Sequence, residues 1–226
     1  MPGSSLWLVP PKDSALYKTC HQLITTHIPS IFFSALAQPV PFTPHVTLTA
    51  DTVPSDLFPD STDPAISAQK WLDSIDLPPP STTQEGLKVK IQNVQVEGPF
   101  FRKLTLRCEK SSQLCELAGR CRAHHGGKEG MVGGEHDEEG EEVEKWVRES
   151  YAPHLSLMYS DLPEEEVQLK LNEVDSEISQ VQQANPESLS TRGGEIWLVP
   201  TYRPIEEWQP IAKREIPYGV EWEWQT

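Results

Sequence analysis

Basic residues are scarce in this chain. Lys and Arg number 19 against 34 Asp and Glu in 226 residues, a formal net charge of −15. Affinity for a polyphosphate backbone comes largely from lysine and arginine neutralising it, so a protein that coats DNA or long RNA is excluded. No window approaches the ~18 consecutive apolar residues of a membrane span. The start, Met1-Pro2-Gly3-Ser4-Ser5, lacks the basic and apolar regions of a secretory signal. The expectation is a soluble, intracellular, cytoplasmic protein with no membrane span and no DNA partner. A CxxC pair is also missing: Cys20, Cys108, Cys115 and Cys121 are read as reduced core thiols, and nothing argues for a nucleophile among them.

The acidic charge is uneven, with nine acidic residues in 129–149 and seven in 161–177. Away from those segments a small anionic site fits, suited to a compact phosphate ligand. Hydrophobic residues at 37% suffice for a real core, in one large domain or two small lobes.

Two stretches 109 residues apart carry the chemistry: Pro44-His45-Val46-Thr47-Leu48-Thr49 and Pro153-His154-Leu155-Ser156-Leu157-Met158. Each alternates polar and apolar residues with the two-residue period of a half-buried strand. His45 therefore shares a face with Thr47, and His154 with Ser156, while Val46, Leu48, Leu155 and Leu157 face a core. An imidazole beside a hydroxyl, presented twice, supplies two proton-transfer groups and two hydrogen-bond donors for an anionic oxygen. That equipment suits metal-free phosphoester chemistry, with no cofactor and no metal ligand set.

Taken in order, Ser5-Leu6-Trp7-Leu8-Val9-Pro10 predicts a strand, nearly copied at Glu195-Ile196-Trp197-Leu198-Val199-Pro200. Asp13 or Ser14 caps a helix with Leu16, Tyr17, Cys20, Leu23, Ile24 and Ile28 on one side, ending at Pro29. A short helix is predicted near Ile66 to Ile75 and a loop at 77–81. Leu87 to Val96 and Leu104 to Cys108 read as neighbouring strands joined by a Gly98-Pro99 turn. Ser111 or Ser112 caps a helix bearing Leu114, Leu117, Ala118 and Cys121. Residues 124–142, with six glycines in 19, read as a flexible acidic insertion with no core, followed by a short helical piece at 143–147. One helix from Pro163 carries Val167, Leu171, Val174, Ile178 and Val181, ending at Asn185-Pro186. The halves form an internal repeat within one domain, 1–226: strand, helix, His strand over 5–50, and strand, helix, His strand, helix, strand over 100–202.

Bland readings stand beside these. Trp7 and Trp197 are able to stack on a base, although burial is the commoner reason for such residues. Strict alternation points Tyr159 into the core with Leu155 and Leu157; a twist or bulge after Met158 would turn it into the site. His124, His125 and His136 lack recognised zinc-ligand spacing and read as a solvated loop. Lys88, Lys90, Arg102, Lys103 and Arg107 form either a positive cleft wall or an ordinary solvated sheet face.

The paired motifs His45-Val46-Thr47 and His154-Leu155-Ser156 resemble those of the 2H phosphoesterase superfamily. The likeness is nearest to the fungal and plant 2′,3′-cyclic-nucleotide 3′-phosphodiesterases, with the Leu6-Trp7-Leu8-Val9-Pro10 start and the second motif running on to Tyr159. This resemblance implies an α+β, bilobal fold whose pseudo-symmetric lobes, with antiparallel sheets and outer helices, face a central cleft. It implies metal-independent opening of 2′,3′-cyclic phosphates to 2′-phosphates, and of the ADP-ribose 1″,2″-cyclic phosphate left by tRNA splicing to ADP-ribose 1″-phosphate. By the same analogy His154 is the base, His45 the acid, and Thr47 and Ser156 bind the phosphate oxygens of a small cyclic-phosphate nucleotide in a monomeric enzyme. Golgi association is open by the same likeness. Two alternatives are a 2′–5′ RNA ligase or RNA-end-processing enzyme of the superfamily, for which a broader basic surface is expected, and a non-catalytic nucleotide-phosphate-binding module, which would more naturally use arginine.

Overall fold

A computed structural model describes residues 3–32, 40–52, 64–78, 86–124, 136–217 and 219–225. The chain runs β1 (Ser4–Val9), α1 (Ala15–Gln22), α2 (Ile28–Ile31), β2 (Val46–Thr52), α3 (Pro64–Ser74), β3 (Leu87–Val96), β4 (Leu104–Cys108), α4 (Ser112–Ala123) and α5 (His136–Glu149). It continues through β5 (His154–Met158), α6 (Glu164–Leu169), α7 (Leu171–Ala184), β6 (Ser190–Arg192), β7 (Glu195–Val199), β8 (Ala212–Glu215) and β9 (Val220–Trp224). The strands join one sheet in the order β6-β9-β3-β4-β5-β2-β1-β7-β8. Every neighbouring pair is antiparallel except β3 and β9. This is an α+β architecture. Among the described residues no helix is long and apolar enough to cross a membrane.

The sheet is organised about the β2–β5 pair. The succession β1–α1–β2 on one side is matched by β4–α4–β5 on the other, and each histidine strand pairs outward with the first strand of its own unit. The two Trp-Leu-Val-Pro copies occupy different places from those the repeat suggests. β1 and β7 are hydrogen-bonded neighbours, with Trp7 opposite Trp197, and the counterpart of β1 across the centre is β4. Their likeness reflects a shared need: both strands are buried along almost their whole length.

Leu6 and Leu8, Val46 and Leu48, Leu104 and Leu106, and Leu155 form one apolar layer, against which Leu16, Cys20, Leu23, Leu114, Leu117 and Cys121 of the helices are fully buried. Ser14 and Ser111 are the helix caps, each hydroxyl accepting from the backbone N–H three residues on. The first helix does not stop at Pro29. A widened π turn over Leu23–His27 carries the chain into α2, where Pro29 occupies a first-turn position whose N–H needs no helical partner. The helix after Pro163 is in turn broken at Lys170, whose ammonium bonds the carbonyl of Ile31 and lies 5.3 Å from the Phe32 ring.

The acidic segment also departs from expectation. Residues 125–135 lie outside the described residues, but 136–142 belong to α5. Glutamate is a good helix former, and the half-buried Trp146 gives the helix an apolar anchor, with the Arg122 guanidinium 5.2 Å from its ring. Val143 and Val147 lie over Gly119 of α4, where the missing side chain lets the two helices approach.

Gly3 has no room for a side chain. A Cβ there would stand 2.6 Å from the carbonyl carbon of Asp51 and 2.8 Å from the oxygen of Thr52, both backbone atoms of β2. Gly3→Ala should therefore lower stability by about 1–3 kcal/mol through strand displacement, measured as a fall in the urea midpoint at unchanged m-value.

Candidate active site

The proline in each Pro-His motif sets the ring that follows it. Proline fixes its own φ, lacks an N–H and keeps the preceding residue extended, which brings the carbonyl two residues before each histidine onto its imidazole. Thr43 O accepts from His45 Nδ1 at 2.6 Å, and Ala152 O accepts from His154 Nδ1 at 2.8 Å. A carbonyl only accepts, so both rings carry their proton on Nδ1 and keep the Nε2 lone pair for another partner.

Register brings the two motifs together. Val46 pairs with Leu155 across β2 and β5, and antiparallel counting from that pair sets Thr47 opposite His154 and His45 opposite Ser156. Imidazole and hydroxyl thus alternate at the corners of one patch. The histidines are diagonal neighbours, a relation that places residues about 7–8 Å apart, with Cβ atoms somewhat closer. Each is near enough for His154 to depress the pKa of His45. A phosphate that accepts from one ring once it is protonated at Nε2, with a water held on the Nε2 lone pair of the other, fits such a gap at hydrogen bonds of about 2.8 Å.

The two rings differ in surroundings. His45 is 5% exposed and stacks on Trp7, with centroids 3.7 Å apart and planes 10° from parallel. Burial pushes its pKa down to about 3; the Thr43 carbonyl opposes that and His154 adds to it. His154 is half-buried, and its pKa is also lowered, first by burial and then by Arg102, with Ala152 O and Glu97 acting in the opposite direction. Both imidazoles are therefore neutral at pH 7 in the free protein. For His45 the consequence for stability has a definite sign. The folded state binds its proton more weakly than the unfolded chain, so its contribution is complete above about pH 6.5 and drains away as pH falls toward 3. Between pH 7 and 4 wild type should lose on the order of 2–3 kcal/mol that His45→Gln keeps, which equilibrium urea unfolding at the two pH values would show.

A bulge turns Tyr159 toward the site. Thr105 pairs with Ser156 but Leu104 pairs with Met158, so Leu157 is an extra residue in β5 and the alternation shifts by one. Strict period two would set Tyr159 on the Leu155 face; the bulge, one step earlier than Met158, turns it to the Ser156 face, where it is still buried, 7% exposed beneath Phe42. Burial pushes the Tyr159 hydroxyl strongly up, partly opposed by its hydrogen bond with Ser156. The Ser156 hydroxyl also donates to Phe101 O at 3.1 Å.

The two tryptophans are nearly sealed, at 2% and 1% exposed, so neither ring is open to a base. Trp7 serves His45. Trp197 donates to Glu195 Oε2 at 2.7 Å and has Lys12 and Lys213 at 4.9 and 4.4 Å from its ring. Of the basic residues, Lys90 pairs with Glu109 and Arg102 with Glu97, while the nearly buried Lys103 bonds the carbonyl of Gly98. Arg107 stands opposite His154 on β4 and donates to Gln95, so Arg102 and Arg107 are the cations on the His154 side. His124 lies within hydrogen-bond distance of Trp71 O and Ser74 Oγ, and His125 lies outside the described residues. The four cysteines are unpaired, and burial pushes Cys108 and Cys121 up to about 12, which leaves no thiolate at neutral pH.

Three residues of this site were not expected from the sequence. Phe101 reaches Ser156 through its carbonyl, Phe42 stacks on Tyr159 at 3.9 Å, and Trp208 touches Trp7, Phe101 and Tyr159. Aromatic content alone could have drawn attention to them; their convergence comes from tertiary contacts.

The chain is 37% identical over 227 residues to a 2′,3′-cyclic-nucleotide 3′-phosphodiesterase of Neurospora crassa, covering 95% of this chain and 99% of that one. It is 36% identical to the protein so named in Phaeosphaeria nodorum, over 96% of this chain and 100% of the other, and 28% identical to that of Yarrowia lipolytica, over 94% and 99%. Residues 1–216 match the model of a family described as cyclic phosphodiesterase-like protein. With both motifs inside that span, the chain belongs to the cyclic phosphodiesterase-like family, within the 2H phosphoesterases.

Proposed function

We propose that this protein hydrolyses 2′,3′-cyclic nucleotides to nucleoside 2′-phosphates, and the 1″,2″-cyclic phosphate of ADP-ribose to ADP-ribose 1″-phosphate, the cyclic product left by tRNA splicing. The observation that carries this reading is the diagonal pair of Nε2-acceptor imidazoles on adjacent strands, each with a hydroxyl opposite it. Opening a cyclic phosphate to the 2′-phosphate breaks the bond from phosphorus to the 3′-oxygen and forms one to a water oxygen, the two lying in line across phosphorus. His154, the more open ring, takes the proton of the attacking water at Nε2. His45, on the closed side against Trp7, takes up a proton at Nε2 from solvent as the anionic substrate binds and hands it to the departing 3′-oxygen. The anionic phosphodiester supplies the charge that favours the imidazolium of His45, against the burial that keeps it neutral in the free protein. Thr47 donates to one non-bridging oxygen, where charge grows in the pentacovalent state, and Ser156 to the other by turning its one proton from the Phe101 carbonyl to the phosphate.

The test is product analysis with adenosine 2′,3′-cyclic phosphate in EDTA. Conversion to the 2′-phosphate alone is expected; the 3′-phosphate as product, or intact substrate after prolonged incubation, would overturn the reading. A parallel reaction with the 1″,2″-cyclic phosphate of ADP-ribose tests the second substrate in the same way.

A further inference from the structure

We propose that Trp208 is a positioning residue for both halves of the site: a single indole that holds Trp7 against His45 and braces the groups around Ser156. This rests on the function proposed above for His45 and Ser156. Trp208 follows the short 3-10 turn Ile205–Glu207 between β7 and β8, and is 7% exposed. Its indole N–H donates to Arg203 O at 2.8 Å, which fixes the ring within its own loop.

From that anchor it makes three aromatic contacts. It meets Trp7 at 5.7 Å with planes at 68°, Phe101 at 5.8 Å and 32°, and Tyr159 at 6.1 Å and 69°. Each partner acts one step from the proposed chemistry. Trp7 stacks on His45, Phe101 O accepts from the Ser156 hydroxyl, and the Tyr159 hydroxyl bonds Ser156. Trp208 thus links the β1–β2 side of the site to the β4–β5 side without itself belonging to any of the four strands. Edge-to-face and tilted aromatic pairs of this kind have preferred geometries, so fixing one ring restricts the other three.

Truncating the indole opens a void beside Trp7, lets that ring tilt and admits water toward His45. The titratable group acting on His45 is His154 on β5; Thr43 O holds Nδ1, the Ser156 hydroxyl opposite is neutral, and neither Trp7 nor Trp208 carries charge. The desolvation of His45 therefore depends on packing, and loosening Trp7 relieves it.

The decisive measurements on the full chain are kcat for adenosine 2′,3′-cyclic phosphate and the His45 titration midpoint by NMR of its imidazole, in Trp208→Ala, Trp208→Leu and Trp208→Phe. Trp208→Leu and Trp208→Ala should lower kcat about 10- to 100-fold, as misplacement near a reacting centre does, and should move the His45 midpoint upward by a unit or more. Trp208→Phe should restore kcat and the midpoint at least halfway, on a logarithmic scale, from the leucine variant toward wild type, because it keeps a ring against Trp7 while giving up the N–H that bonds Arg203 O. Circular dichroism identifies which variants are folded, and if Trp208→Ala is not, the Leu and Phe variants carry the test. Folded Leu or Ala variants with wild-type kcat and an unmoved midpoint would overturn the proposal, as would a loss of kcat that merely tracks the unfolded fraction. The NMR arm needs no substrate, so it still decides the role of Trp208 toward His45 if wild type proves inactive on cyclic phosphates.

Discussion

Alanine at His45 or at His154 should lower kcat on adenosine 2′,3′-cyclic phosphate by about 10³-fold or more, near the upper part of the range for a single general acid or base. The two losses should not add. Once either proton transfer fails, the transition state that the other histidine served is no longer reached, so the double variant should lie within about tenfold of the worse single one. KM should change little for His154→Ala, whose half-buried ring leaves the Trp7 stack untouched. His45→Ala also removes the face on which Trp7 packs, so its stability must be measured beside its rate. Retention of more than a tenth of wild-type kcat in a folded single variant would remove that histidine from the chemistry.

Removing the hydroxyls comes next in size. Thr47→Val keeps the shape of the side chain and the strand, and should lower kcat by about 10²–10³-fold with a smaller change in KM, the effect of deleting one donor to a developing oxyanion. Ser156→Ala should cost at least as much, because it also leaves Phe101 O and the Tyr159 hydroxyl without their partner. Ser156→Thr keeps the hydroxyl and is the control: recovery there and not in alanine assigns the loss to the oxygen. Equal KM increases with unchanged kcat in both hydroxyl variants would mean that they bind substrate and transition state alike, contrary to the proposed role.

Much of this was legible because the relevant signals are local. Period-two alternation is a property of five or six consecutive residues, so β2 and β5 could be read directly, with His45 and Thr47 on one face and His154 and Ser156 on another. The serine caps at 14 and 111 are equally local. What escaped belongs to pairing and packing. The bulge at Leu157 exists only relative to Thr105 of β4, and without it Tyr159 falls on the wrong face. Trp7 and Trp197 show in sequence as aromatic residues on strands; that they are sealed follows from the layers above them. Trp208 lies in a stretch of proline and glutamate with no periodicity, and its partners come from positions 7, 101 and 159. β9 was not among the strands expected, although Val220-Glu221-Trp222-Glu223-Trp224 alternates with period two, and its parallel pairing with β3 is a matter of tertiary structure.

The matched carbonyls of Thr43 and Ala152 have a consequence for direction. Both imidazoles are held in one tautomer by one device, so nothing in the hydrogen bonding itself makes either the donor or the acceptor of a proton. Handedness enters from outside the motifs: a tryptophan walls off one ring and leaves the other, half-buried, the more open of the two. Two interchangeable imidazoles would cleave whichever ester oxygen lay on either side, so in the proposed reaction it is the wall, outside both motifs, that would make one regioisomer the product.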